Sequence, residues 1–250
     1  ARAYLRAMEW VSSWAPTRVL ADAQAIAGRY RSLYPRGVPC SFIAYGADLP
    51  DMPSAPVLDL SPWGLSAGEY VLVVARPEPE NHVLDIVQGH ARWGGDWPLV
   101  VVGDVRPVTP YQKRLLALAG DRVRFIGGVY DADQLTALRM GAACHVHGHS
   151  VGGTNPSLLE ALACGNAVLA HDNPFNREVA RDAAQYFQTG QQLADALARV
   201  RALAPAARQA LAARARSIVA RHYRWDLIAD QYEALMRAEC ADAAPGVPRP

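Results

Sequence analysis

The chain has 250 residues, 51% of them hydrophobic and 20% charged, which is typical of a globular protein and excludes a disordered or fibrous one. Its length suits one large domain or two domains of ordinary size. Lysine and arginine number 25 against 24 aspartates and glutamates. This balance excludes nucleic acid as the main partner and leaves a small anion as a candidate ligand. No apolar segment approaches the ~18 residues of a membrane-spanning helix.

The four cysteines are Cys40, Cys144, Cys164 and Cys240. They are far apart and form no C-x-x-C pair, so the sequence indicates neither a disulfide framework nor a zinc ribbon. We expect a reducing, cytosolic compartment. The sequence has no secretory signal and does not begin with methionine, which favours a fragment or a processed product.

Short β-branched segments alternate with alanine- and leucine-rich ones, which predicts a parallel α/β sheet. Before residue 50 we expect a helix in RAYLRAMEWVSSW, a strand at residues 17–20, a helix at 22–33 and a strand CSFIAYG. The proline-rich segment LPDMPSAPVLDLSPWG follows, and proline breaks both kinds of element, so we place a domain boundary there. The prolines concerned are Pro50, Pro53, Pro56, Pro62 and, after the next strand, Pro77.

From Tyr70 onward the predicted elements alternate regularly. The expected strands are YVLVVAR, PLVVVGD, VRFIG, ACHVHG, AVLAH and QYF. The expected helices lie at residues 80–91, 111–119 and 133–140. Further helices are expected from Pro156, near Arg177 and after the last strand, followed by a disordered tail, GVPRP. This order predicts a doubly wound sheet, in which ligands bind beyond the carboxyl ends of the strands. The site is therefore expected in the loops after Val74, Gly103, Gly127 and Gly148.

The stretch HGHSVGGTNPSLLEALACGNAVLAH carries the most specific local pattern. Asn155 is typical of a helix N-cap, Pro156 of the first helical position, and Gly165 of a C-terminal stop. Gly152 and Gly153 leave backbone N–H groups bare at the positive end of this helix, an arrangement that suits a diphosphate. The alternative is an ordinary strand-to-helix turn. The N-cap, the proline and the position in the sheet together favour anion binding over it.

Two charged residues are candidates for ligand contact. Glu160 lies just beyond the first helical turn of a segment whose other residues, LLEALA, must cover the core. Its carboxylate is either solvated or accepts the hydroxyls of a ribose, and the residues alone leave both open. Arg76 ends the strand YVLVVAR, where a guanidinium can clamp a diphosphate. A solvated loop arginine is the commoner alternative, and the position at a strand end favours the clamp.

His145, His147 and His149 alternate and therefore share one face of a strand. Although H-x-H spacing occurs in metal sites, no carboxylate follows it here, so we expect no metal and place His149 in the ligand crevice. His82 follows Arg76 closely and is expected in the same pocket. The P-loop, dinucleotide and G-x-S-x-G patterns are absent from the sequence, which removes the main support for those functions.

The order VVAR…ENH, VVGD, VRFIGGV and LTALRMGAACHVHGHSVGGTNPSLLEALACGNAVLA resembles the donor-binding domain of retaining GT-B glycosyltransferases. The run HGHSVGGTNPSLLEAL, with FIAYGADLP upstream, is most similar to bacterial rhamnosyltransferases of capsule or exopolysaccharide synthesis. The resemblance implies a GT-B fold with the end of the acceptor domain and a linker at residues 1–55. It implies a donor-binding domain at 56–222, and at 223–250 a terminal helix that crosses back to the first domain, followed by a tail.

The same resemblance implies roles for charged residues. Arg76 corresponds to the arginine that grips the donor diphosphate, and His82 stands where many relatives have a lysine. Glu160 corresponds to the second glutamate of the family's E-x(7)-E pattern, which holds the nucleotide ribose. The first glutamate falls at Gly152, so this chain lacks the carboxylate expected beside the sugar. Arg76 and Glu160 are the residues expected to carry catalysis.

Backbone positions are implied as well. Gly153, Thr154 and Asn155 correspond to the stretch that faces the sugar and the diphosphate. Gly128 and Val129 correspond to the loop beside the base.

The implied reaction is transfer of a sugar from a dTDP-, UDP- or GDP-linked donor to a saccharide or polyprenyl-linked acceptor, with retention. Helix dipole, backbone amides and arginine stabilise the departing diphosphate in such enzymes, so we expect no metal and no other cofactor. A cytoplasmic location is implied, either free or at the inner face of the cell membrane. Two alternatives stay open: a non-catalytic nucleotide-sugar-binding module and a GT-B nucleotide-sugar epimerase.

Overall fold

The computed structural model describes residues 2–51 and 59–242. Within these ranges the strands are β1 (Val19–Ala21), β2 (Cys40–Phe42), β3 (Val71–Val74), β4 (Leu99–Val102), β5 (Val123–Phe125), β6 (Cys144–His147), β7 (Val168–His171) and β8 (Ala184–Phe187). The α-helices are α1 (Arg2–Ser12), α2 (Gln24–Leu33), α3 (Val83–Trp93), α4 (Pro110–Leu118), α5 (Ala132–Gly141), α6 (Pro156–Ala163), α7 (Pro174–Ala180), α8 (Gly190–Arg201), α9 (Pro205–His222) and α10 (Trp225–Asp242).

Strands β3 to β8 form one parallel sheet in the order β5-β4-β3-β6-β7-β8. The chain starts at β3 in the middle, builds outward to β5, and crosses back to build outward again from β6. The predicted doubly wound sheet is confirmed. Its switch point lies between β3 and β6, where the two strand ends diverge and leave a crevice.

The sheet is covered on both faces by apolar side chains. On one face, Val71 and Leu99 pack with α3 and α8. The other face carries two clusters, one around Leu72 and α5 and one around Val168, α6 and α9. The α6 side chains expected in the core are confirmed there, at 0–1% exposed: Leu158, Leu159, Leu162 and Ala163.

The first segment of the chain forms a separate two-stranded parallel sheet, β1 with β2. The strand predicted over CSFIAYG ends earlier, at Phe42, because its neighbour β1 ends at Ala21 and offers no further partner. Helix α10 contacts this segment through an ion pair of 2.6 Å between Arg18 Nε and Glu239 Oε1. Ile43 and Ala44 join the cluster beneath α6, so the first segment shares a core with the large sheet.

The predicted domain boundary, with Pro53 and Pro56, lies outside the described residues, as does the tail from residue 243. The division of the chain at residues 55 and 222 stays a prediction. In the ranges that the structure describes, no helix is both long and apolar enough to cross a membrane.

Candidate functional site

The loops that follow β3 and β6 lie against each other at the switch point. A side chain at Gly148 would overlap the carbonyl oxygen of Asn81, so the close approach requires glycine. The backbone N–H of Ser150 donates to the carbonyl oxygen of Glu80 at 2.9 Å. The crevice between the two halves of the sheet is therefore bordered by both sequence-predicted loops.

Helix α6 begins and ends as the sequence predicts. Asn155 is its N-cap, with Oδ1 accepting from the Ser157 N–H at 3.0 Å, and Gly165 adopts φ +75° just after the last helical residue. The Ser157 hydroxyl donates to the carbonyl oxygen of Val74 at 3.2 Å, which ties the helix start to the end of β3. The N–H groups of Gly152 and Gly153 have no acceptor among the described residues. They are free to bind an anion at the helix N-terminus.

A cavity of about 370 Å³ opens at the carboxyl ends of β3, β4 and β5. It brings Arg76 together with Gly128 and Val129. Asp104 shapes its wall, since its Oδ1 accepts from the Gly128 N–H at 2.9 Å. The Arg76 side chain is 81% exposed and lies 3.5 Å from Glu78 Oε1, so it is available to an anionic ligand.

A second cavity, of about 320 Å³, lies between α5, α6 and the first segment of the chain. Glu160 and Pro156 line it from α6, and Ala47, Asp48 and Trp225 close it from the other side. Residues of the first segment thus help to enclose Glu160.

Tyr130 lines both cavities. Its side chain is 88% exposed, and its hydroxyl lies 3.4 Å from Asp104 Oδ2. The two cavities therefore adjoin at Tyr130. We refer to them together as the groove, with Arg76 in one cavity and Glu160 in the other. The sequence analysis missed Tyr130, although an aromatic residue directly after the Gly128-Val129 loop is a feature that could have pointed to it.

Glu160 forms an ion pair with Arg139. The Arg139 side chain is 4% exposed and that of Glu160 is 45% exposed, so a buried cation supports a carboxylate that faces the groove. Burial lowers the pKa of Arg139, and the Glu160 carboxylate opposes that shift. Sequence reasoning missed Arg139 because LTALRMG looks like an ordinary helix.

His145 and His147 are buried in β6 at the centre of the sheet, and His149 lies just after the strand and is partly buried. His145 and His147 are at most 1% exposed, and neither ring nitrogen of either residue has a partner in the described part of the chain. Burial lowers the pKa of His145 to about 3 and, together with Arg76, that of His149 to about 4. The three imidazoles are neutral near neutral pH. The described His, Cys, Asp and Glu residues form no group of three or more placed to hold a metal ion.

His82 lies outside both cavities. Its φ of +50° interrupts the helix expected from residue 80, so α3 begins at Val83. The imidazole lies 2.8 Å from Asp85 Oδ2 and stacks on His171 at 4.4 Å between ring centroids. The structure does not bring His82 into the cavity of Arg76, and its contact with a donor stays a prediction.

Five other predicted site residues line neither cavity and lie along the β6–α6 loop, on the other side of the switch point: His149, Gly152, Gly153, Thr154 and Asn155. Thr154 is 2% exposed, because its N–H and hydroxyl both bond to the first segment. The proposed contacts of these residues with a donor stay predictions.

Residues 65–217, more than half of the chain, match the glycosyl transferases group 1 family. The chain belongs to this family. A search of curated protein sequences finds no match to the chain.

Solved glycosyltransferase structures share its fold. Sucrose-phosphate synthase from Thermosynechococcus elongatus superposes with a TM-score of 0.81 at 22% identity, over 96% of this chain and 62% of its own. HepE from Anabaena, in complex with UDP-glucose, superposes with a TM-score of 0.81 at 19% identity, over 95% of this chain and 68% of its own. Trehalose 6-phosphate synthase from Burkholderia multivorans superposes with a TM-score of 0.79 at 16% identity, over 96% of this chain and 63% of its own.

The predicted GT-B fold is confirmed by these likenesses. The chain spans less than two thirds of the length of the sucrose-phosphate and trehalose-phosphate synthases that it matches.

Proposed function

We propose that this chain is the donor-binding part of a retaining glycosyltransferase that takes a sugar from a nucleoside diphosphate. The observation that carries the proposal is the groove around Tyr130, which has an exposed arginine at one end and a supported carboxylate at the other. Two solved complexes of HepE, with UDP and with UDP-glucose, are consistent with this ligand class.

In this proposal the base lies against the Gly128-Val129 loop and Tyr130, and the ribose hydroxyls donate to Glu160. The diphosphate then lies toward Arg76 and the bare N–H groups ahead of α6. An arginine and a helix N-terminus both favour negative charge, so they stabilise the diphosphate more strongly as it leaves. No metal or other cofactor is needed for this stabilisation, and we propose none.

The finer specificity rests on the resemblance of HGHSVGGTNPSLLEAL to bacterial rhamnosyltransferases. We propose a 6-deoxyhexose such as rhamnose as the sugar, and a saccharide or polyprenyl-linked acceptor in cell-surface polysaccharide synthesis. In this role the enzyme works in the cytoplasm. With a lipid-linked acceptor it works at the inner face of the membrane.

Residues 2–51 contribute only two short strands and two helices to the described structure, and catalysis needs donor and acceptor held at reacting distance. We therefore expect the 250-residue chain to bind donor without transferring sugar.

Calorimetry with dTDP, UDP and GDP and one sugar derivative of each tests the donor site, and a transfer assay on the same preparation tests catalysis. Binding of one nucleotide series without transfer is expected. Binding of none would overturn the donor-site assignment, and strong transfer by these residues would overturn the need for a further acceptor-binding part. Release of an altered free sugar without any acceptor would favour the epimerase alternative.

A further inference from the structure

The loop ahead of α6 has no carboxylate of its own. Gly152 occupies the position where the resemblance places a glutamate, and its φ of +113° is one that L side chains rarely adopt. A glutamate at 152 would therefore need a different backbone. A sugar bound beside this loop must find a carboxylate elsewhere or do without one.

Asp22, from the first segment, lies directly against this loop. Its carbonyl oxygen accepts from the Thr154 N–H at 3.1 Å and also from the Thr154 hydroxyl. Its carboxylate occupies the space beside Gly153, where a Cβ would overlap both carboxylate oxygens and the carbon between them. The φ of Gly153 is not in the left-handed region, so the contact with Asp22, and not backbone strain, is what requires glycine there.

A second contact fixes Asp22 in this place. Helix α2 begins two residues later, and its first N–H groups, those of Gln24 and Ala25, donate to the Glu178 carboxylate at 2.8 and 3.3 Å. Glu178 belongs to α7, which is part of the large unit. Asp22 is thus held at its own carbonyl oxygen by Thr154 and, two and three residues later, through the bonds to Glu178.

The Asp22 carboxylate has no bonding partner in the described part of the chain. It takes part in no hydrogen bond or ion pair with the described residues, and the N-cap of α2 is Ala23, whose side chain makes no capping bond. The residue is only partly buried. An oriented, partly desolvated carboxylate without a partner is a strong acceptor for a ligand hydroxyl.

We infer that Asp22 binds the sugar of the donor, accepting hydrogen bonds from its ring hydroxyls in place of the carboxylate absent at Gly152. This inference rests on the proposed function. It also sets a specificity: a carboxylate beside the ring favours neutral sugars and repels the carboxylate of a uronic acid.

Asp22→Asn tests the inference because it keeps the shape and removes the charge. In calorimetry we expect roughly ten- to a hundredfold weaker binding of the nucleotide sugar, the range for hydrogen bonds to charged groups. Binding of the matching nucleoside diphosphate should change less than twofold. The pairs used are UDP with UDP-glucose, dTDP with dTDP-rhamnose and GDP with GDP-mannose.

Asp195→Asn, an exposed carboxylate of α8, is the matched control and should leave both affinities unchanged. Unchanged nucleotide-sugar affinity in Asp22→Asn would overturn the inference, and so would equal losses for the diphosphate and its sugar derivative. A wild-type chain that binds no nucleotide would instead overturn the proposed function, so the two failures are distinguishable.

Gly153→Ala provides an independent check. Its methyl group should displace the Asp22 carboxylate and cause the same sugar-specific loss, with no further loss in the Asp22→Asn/Gly153→Ala double variant. Losses that simply add would show that Gly153 does not act through Asp22.

Discussion

The guanidinium of Arg139 lies behind the carboxylate of Glu160, buried while its partner faces the groove. The pair orients Glu160, because one oxygen, Oε2, is held by the arginine and the carboxylate cannot turn freely. It also links the site to stability, since removing the carboxylate leaves a buried cation without a partner. Ligand binding and folding therefore depend on the same carboxylate.

Glu160→Gln should weaken nucleotide binding, because a neutral amide is a poorer acceptor for ribose hydroxyls than a carboxylate. A UDP ribose offers two hydroxyls and a dTDP deoxyribose one, so the loss should be larger for UDP than for dTDP. Calorimetry with both nucleotides measures the difference. Wild-type affinity for both would remove Glu160 from the site.

The same variant should also lower the free energy of unfolding, by about 1–3 kcal/mol, since Arg139 loses its charged partner. Urea unfolding measures this change. Glu233→Gln, which breaks an exposed ion pair with Arg237 on α10, is the control and should change stability by less than about 0.5 kcal/mol. Equal effects of the two substitutions would contradict a structural role for the buried pair.

Arg76→Ala should weaken nucleoside diphosphate binding by roughly 1.5–3 kcal/mol, the range for hydrogen bonds to charged groups. The affinity for the bare nucleoside should change little, because the exposed guanidinium contacts phosphate alone in the proposed complex. Comparing the two ligands by calorimetry isolates the phosphate contribution. Equal losses for both would mean that Arg76 acts through the shape of the loop.

The sequence predicted the sheet and the bounds of α6 because these depend on local features. Strand periodicity, the N-cap at Asn155, Pro156 and Gly165 all act within a few residues of where they stand. Arg76 was placed from its position at a strand end, and Gly128 and Val129 were placed from the family resemblance. The structure brings all three into one cavity.

Arg139 and Asp22 could not be assigned in the same way. Their surroundings come from contacts between distant parts of the chain, as between Asp22 and Thr154, which are 132 residues apart. The length of β2 likewise depends on the length of β1. The left-handed backbone of His82 and its stacking on His171 likewise have no local sequence feature.

Tyr130→Ala should weaken nucleotide binding by about 1–3 kcal/mol, the range for stacking of one base on an aromatic side chain. The loss should be similar for nucleoside and nucleoside diphosphate, unlike that of Arg76→Ala. Tyr4→Ala, which removes another exposed tyrosine far along the chain, should leave both affinities unchanged. A loss confined to the diphosphate would contradict contact between Tyr130 and the base.

Gly148→Ala should destabilise the protein by about 1–3 kcal/mol, because the new methyl group overlaps the carbonyl oxygen of Asn81 and one loop must move. Gly120→Ala is the matched control: nothing lies within 4 Å of its Cβ position, and its φ is not left-handed. That change should be neutral or stabilising by up to about 1 kcal/mol. Urea unfolding that ranks the two variants the other way would contradict the packing of these loops.

The buried histidines should make the protein less stable in weak acid. Burial holds the pKa of His145 at about 3, that of His149 at about 4, and that of His147 well below its ordinary value. In the unfolded chain each titrates near 6.5. Below that pH the unfolded state binds protons that the folded state does not, so the free energy of unfolding falls from about pH 6.5 toward pH 4.

The three histidines together should remove a few kcal/mol of stability at pH 5.5 relative to pH 7.5, on the order of 1 kcal/mol each. Urea unfolding at the two pH values measures the loss. His145→Leu, which places an apolar side chain at a fully buried position, should reduce that loss by about a third. His222→Gln, at the exposed end of α9, should leave most of the pH dependence in place. If the wild-type chain is equally stable at both pH values, the three imidazoles are protonated in the folded state or reach solvent, and their burial as neutral rings is wrong.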